Sequence, residues 1–280
     1  MMLQKSIRIM LKRKDISKNL FKLFIRIEKR RRFIISTMLL TLLMIVSTYF
    51  SFEAASFFVI PIIVLVYFLT YFSILEGITD KEWLMLFIPP LYFSVVFYLF
   101  YFFLPQRWLA RAPFAVLYSI SVYALLLSQN IFNVGVEKSL QLFRAAFSIN
   151  YLFLTLTMFL ATSLLFSLRL LFVANGLLIF VMSLPLALHF VWSINPQEHV
   201  ERSVFKHALV VSVILAQAVM VFSFIPITPS VFSLVVTALF YSLCGLLSAH
   251  LTSRLFRERI REYLFVLGAV FVITLLTVKW

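Results

Sequence analysis

Few residues of this chain have the types and spacing to do chemistry, and most of those are amides and bases. In NIFNVGVEKSLQLFRAAFSIN, residues 130–150, the side chains of Asn130, Asn133, Glu137, Gln141, Arg144 and Ser148 recur at steps of three or four. On a helix this spacing forms one narrow stripe. Amides at membrane depth seek hydrogen-bond partners, and an arginine fork can clamp a phosphate or carboxylate. The stripe is therefore a candidate binding groove, although an interfacial connector whose edge meets water and headgroups would show the same pattern. His199 and His207 lie two helical turns apart with Glu198 and Glu201 beside them, a set that would bind zinc if another helix supplied a ligand. The chain lacks HExxH, and Glu198 with Arg202 is an ordinary i,i+4 ion pair. His189 and His250 stand alone and read as satisfied interfacial groups. No serine has a base in a recognisable motif, so no catalytic residue, metal centre or cofactor is assigned.

These groups must be positioned by membrane helices. With 63% hydrophobic residues, 17% aromatic and 13% charged, and a mean hydropathy of +1.04, the chain exposes too much apolar surface to dissolve as a monomer. The composition predicts an all-α, polytopic transmembrane helix bundle. The five glycines beside 33 phenylalanines favour continuous helices over the unwound half-helices of many transport sites. Cys244 is the one cysteine, which excludes an intrachain disulfide.

Cutting the apolar runs at charges and turn residues gives nine spans, 33–51, 55–75, 84–104, 114–133, 151–173, 177–194, 207–226, 230–250 and 263–279, each near the 20 residues that cross about 30 Å of hydrocarbon. Because the last is short, eight is the alternative count. The block from Tyr151 to Ile194 is divided at Asn175-Gly176, a dipeptide that tolerates the positive φ of a tight turn. Asn195-Pro196-Gln197-Glu198 reads as a helix start near 196, with an N-cap amide, an N1 proline and a carboxylate in the first turn. Pro89-Pro90 should kink the third span. Ala238, Ser242, Gly245 and Ala249 form a small-residue packing face on the eighth. The stretch 130–150 is expected to leave the bilayer, bend at Gly135, run along the surface and re-enter.

Charge sets the expected orientation. Residues 1–32 form a basic amphipathic arm distinct from the helical domain 33–280, with twelve bases against Asp15 and Glu28, a net +10 of the chain's +14. Ile16, Leu20, Leu23 and Ile27 share one helical face, while Lys22, Arg26, Lys29, Arg30, Arg31 and Arg32 are candidate ligands of anionic headgroups. A stacking platform and a groove-reading motif are both missing, which argues against nucleic acid. The positive-inside rule puts the N-terminus in the cytoplasm and, after nine spans, the C-terminus outside.

The NIFNV segment followed by LQLFRAA resembles a stretch of polytopic bacterial membrane proteins of unknown function, which implies a multi-pass home in the bacterial inner (plasma) membrane and no site. All eleven acids lie in the arm, in loops or at span ends, whereas coupled transport usually places carboxylates inside the bilayer. The sequence therefore reads as a noncatalytic membrane-embedded organising or interaction protein, with anionic lipid and a membrane protein as partners. A permease or lipid translocator is the alternative, and an envelope-lipid enzyme the second.

Overall fold

The computed structural model describes residues 27–47, 52–74, 84–103, 108–134, 140–197 and 199–278. Among them the chain is entirely helical: α1 (Lys29–Ser47), α2 (Phe52–Ile74), α3 (Leu84–Tyr101), α4 (Trp108–Val134), α5 (Leu140–Ser167), α6 (Phe172–Ile194), α7 (Arg202–Phe222), α8 (Pro229–Leu251) and α9 (Arg257–Thr277). In hydrocarbon every backbone polar group needs a partner within the chain, and helices supply it segment by segment. Several hydroxyls are satisfied the same way: Thr41, Thr162 and Ser212 each donate to the carbonyl four residues back at 2.8 to 2.9 Å. Eight of the nine described helices are long and apolar enough to cross a membrane, so the chain is a multi-pass membrane protein by the length and composition of its helices. The exception is α1 rather than the last. Its first turn carries Lys29 to Arg32, and the described residues beyond Arg32 reach only about 22 Å, whereas α9 begins at Arg257 and has length enough.

Two apolar cores share α5. One gathers residues of α1 to α5 around Phe93, Phe97 and Tyr118, and the other gathers α5 to α8 around Phe190, Phe232 and Phe240. A third cluster of Ile74, Leu86, Phe87, Phe132, Ala146 and Trp192 fills the junction. The side chains on the outside are equally apolar, with Phe57 78% and Leu276 80% exposed, as a lipid-facing surface requires.

Inter-helix contacts fix which helix ends lie together. Ser36 near the start of α1 donates to Leu69 O and Ser73 donates to Ser36 at the end of α2. Asn133 near the end of α4 donates to Ile74 O at the end of α2. At the opposite end Phe166 of α5 stacks on Phe232 of α8 at 3.6 Å, and Phe172 of α6 meets Phe224 after α7 at 5.0 Å. Successive helices therefore run antiparallel.

Three boundaries differ from the sequence reading. The break in the long apolar block falls at Leu168 to Leu171, where Arg169 takes φ 52° and the amides of Leu168 and Arg169 bond three residues back. Asn175 and Gly176 are buried inside α6, because a Cβ on Gly176 would overlap the Met220 side chain of α7. That glycine serves close packing and not a turn. Secondly, α7 starts at Arg202 with Glu201 as N-cap, not at 196. Asn195 instead ends α6, and Trp192 Nε1 donates to Gln197 O at 3.1 Å, which holds the intervening segment outside a helix. Thirdly, α5 runs unbroken from Leu140 to Ser167, so its first turns extend the span rather than lie along the surface. Gly135 and Glu137 fall outside the described residues. The small-residue stripe of α8 is buried as expected, with Ala238, Ser242, Gly245 and Ala249 at the packing face.

Candidate functional site

The most concentrated polar chemistry lies at the junction of the two cores. Proline at position 89 has no N–H, so the carbonyl of Met85, four residues earlier in α3, loses its helical partner. His189 of α6 supplies a replacement, with Nδ1 2.8 Å from Met85 O. A carbonyl only accepts, so Nδ1 carries a proton and donates. The other ring nitrogen lies 3.1 Å from the Asn150 amide of α5, and the same amide oxygen position lies 3.0 Å from the Gln129 amide of α4. Gln129, Asn150 and His189 are each fully buried.

Two hydrogen-bond states fit these heavy atoms. In one, Asn150 Oδ1 accepts from both neighbours, which requires a doubly protonated imidazolium and leaves Asn150 Nδ2 and Gln129 Oε1 unpartnered. In the other, both amides are turned end for end. Asn150 then donates one N–H to the lone pair of a neutral His189 and one to Gln129. The second state keeps the same number of bonds, with Asn150 Oδ1 and Gln129 Nε2 now in the two positions that have no partner, but it buries no charge, and is the one a dry interior favours. Phe132 and Trp192 pack around the ring, at 6.3 and 5.7 Å, and close it from water. The carbonyl at the end of α2 is another orphan, which Asn133 satisfies across 3.1 Å.

The predicted stripe is thus divided between two helices. Asn130 and Asn133 sit partly buried on α4, with Asn130 Oδ1 in the buried interior. Gln141, Arg144 and Ser148 are exposed on α5, and Ser148 donates to Arg144 O at 3.0 Å. The structure does not bring the two groups onto one surface. Asn150 lies on the opposite, buried face of α5, together with Ala146 and Leu154, and Gln129 directly precedes the stripe. Asn150 was missed because a single amide breaks no periodicity, and Gln129, between Ser128 and Asn130, because it stands one position off the stripe. His189, expected at the interface, is instead inside the bundle.

His199 and His207 do come together, lining a pocket between the α6–α7 segment and the end of α8 that also presents Trp192, Gln197, Glu201 and Ser203. His207 Nδ1 is 2.8 Å from Ser203 O, and because a carbonyl only accepts, Nδ1 carries a proton. Among the described residues no group of three or more His, Cys, Asp or Glu could hold a metal ion, and Glu198 lies outside them. Lys29 to Arg32 fall in α1, with Arg30 and Arg31 exposed and Lys29 half-buried, whereas Arg32, expected at the headgroups, is fully buried; Lys22, Arg26 and the remainder of the arm to residue 26 lie outside the described residues.

With the helix ends paired as above, Lys29 to Arg32, Arg144, Arg202, Lys206, Arg254, Arg257, Arg259 and Arg261 share one end of the bundle. The opposite end holds Arg169 and Arg111, the latter over the Tyr101 ring at 4.9 Å. His250 lies at the basic end, exposed in the last turn of α8.

Residues 141–277 match a family described as a protein of unknown function, DUF5656. The matched segment coincides with α5 to α9, so the network joins two residues inside it, Asn150 and His189, to Met85 and Gln129 in the preceding helices. No curated protein and no solved structure matches the chain. The similarity agrees with the resemblance seen around residues 130–150, and what it names is a segment of unknown function running from the start of α5 to the end of α9.

Proposed function

We propose that this chain is a noncatalytic organising protein of a bacterial inner membrane that works from a basic cytoplasmic face, with its N-terminus in the cytoplasm and its C-terminus outside. The observation that carries the reading is the gathering of bases at one bundle end by the helix pairing. Such an end is retained on the cytoplasmic side and is attracted to anionic headgroups, by about 1 kcal/mol for each base near the surface. The buried polar groups beneath it support a structural role, because Asn133 and His189 are spent on orphan carbonyls of neighbouring helices. The arm, by its charge, would add to the same lipid contact, and a membrane-protein partner would meet the same face.

Reporter fusions test the orientation. A periplasm-active reporter after Trp280 should be active and one after Lys138 inactive; the reverse pattern would sink the cytoplasmic assignment. A lipid-translocator reading has one observation in its favour, an apolar groove open sideways between α7, α8 and α9. Reconstitution separates the two readings. Vesicles holding the purified protein should move a fluorescent phospholipid between leaflets no faster than protein-free vesicles, and an acceleration would replace organising with translocation.

A further inference from the structure

We infer that the groove between α7, α8 and α9 is a binding site for one anionic glycerophospholipid with a hydroxyl-bearing headgroup. Val210, Val211 and Ile214 of α7 form one wall of the groove and Leu243, Leu246 and Leu247 of α8 the other. Leu255 and Ile260 close it toward α9. Both polar residues of its lining, His207 and His250, belong to the basic end of the helices. His207 also lines the adjoining polar pocket with Gln197, Glu201 and Ser203, so an apolar channel and a polar recess meet at one imidazole. That is the shape of an amphiphile: an acyl chain lies along the groove, and its phosphate stands at the mouth.

Charge complementarity selects the occupant. Arg254 and Arg257 lie four and seven residues after His250 and are exposed, and the turn that carries Arg254 is built at a cost. Ser253 holds φ 55°, a left-handed conformation that is uncommon for a residue with a Cβ. Bonds from Ser253 N to His250 O at 3.0 Å and from Arg254 N to Ala249 O at 2.8 Å fix it there. His207 already gives Nδ1–H to Ser203 O, so Nε2 is the ring nitrogen left for a headgroup. The Glu201 carboxylate in the recess accepts from hydroxyls, and Gln197 and Ser203 offer polar groups beside it. An ammonium headgroup would suit Glu201 as well, so zwitterionic phosphatidylethanolamine is the competitor to measure.

This site rests on the basic end meeting anionic lipid, and the reporter fusions test that premise separately. Full-length protein is delipidated in detergent and examined by native mass spectrometry with added phosphatidylglycerol, phosphatidylethanolamine or phosphatidylcholine. One phosphatidylglycerol should be retained in preference to the other two. Ile214→Trp, which fills the groove from a lipid-facing position, should lower its retention about tenfold, the effect of losing roughly 1.4 kcal/mol, and so should the pair His207→Gln with His250→Gln. Val221→Trp, on the same helix at a 65% exposed position outside the groove lining, should retain the lipid as the parent does and shows that an added tryptophan is tolerated. Equal retention of the three lipids, or unchanged retention by Ile214→Trp, overturns the site. So does a disulfide-linked dimer formed in membranes by Ile214→Cys, which would give the groove to a second copy of the chain.

Discussion

His189→Leu is expected to destabilise the bundle by about 1–3 kcal/mol, the cost of leaving buried polar partners unsatisfied. Two are lost at once, the bond to Met85 O at 2.8 Å and the contact with the Asn150 amide at 3.1 Å. Polar pairs between membrane helices average nearer 0.6 kcal/mol, because an unfolded state in the membrane also finds partners. Here the carbonyl has a specific reason to lack one. Position 89 is proline, so no relaxation of α3 restores the Met85 bond. A double-mutant cycle isolates this cause. In a Pro89→Ala background the amide returns to Met85 O, and His189→Leu should then cost less than in the parent. Thermal unfolding in detergent of the parent, both single variants and the double variant measures the coupling. Equal losses in both backgrounds would show that His189 acts through packing or through Asn150 alone.

That cycle also marks where the sequence stops being legible. Membrane class, helix count and the packing face of α8 are local properties, readable from apolar runs of about 20 residues and from small-residue spacing. Pro89 announced a missing donor, but the sequence does not say which side chain answers it. The partner, His189, is 104 positions away from Met85, while Gln129 and Asn150 are 21 apart. The same limit misplaced the turn in the long apolar block. Asn175-Gly176 carries turn chemistry, yet Gly176 is small because Met220 of another helix lies against it, and the turn fell to Arg169 without any glycine. A glycine's role, backbone freedom or close approach, is decided by neighbours that only the fold supplies. The polar stripe fails similarly: its 3.6-residue spacing continues across residues 135–139, but α4 ends at Val134 and α5 begins at Leu140, so its two halves belong to different helices.

Gly245→Ala should produce the other large effect, concentrated on α9. A Cβ at position 245 would overlap the ring and hydroxyl of Tyr263, which is only 8% exposed. A Tyr ring cannot yield by small torsional changes as a methionine end can, so it must swing out of the interface. Its departure dismantles a ladder of three rings. Tyr151 stacks on Tyr241 at 5.1 Å and donates its hydroxyl to Tyr241 O, and Tyr241 meets Tyr263 at 5.4 Å. Overpacking of this kind costs about 1–3 kcal/mol, and loss of an aromatic pair adds about 0.5–1.5. The helix that bears the cost has little else to hold it, since 17% of its membrane window is buried and α8 is its principal neighbour. Gly176→Ala should cost less, because Met220 can repack around the new methyl. Adding Tyr263→Leu to Gly245→Ala should recover part of the loss by removing the ring that collides. Detergent unfolding, together with protease or thiol-reagent access to a cysteine placed on α9, reads both stability and release of the helix. If Gly245→Ala melts as the parent does and keeps α9 protected, the α8–α9 interface has room for a Cβ, and the close approach at Gly245 is not what holds the last helix to the bundle.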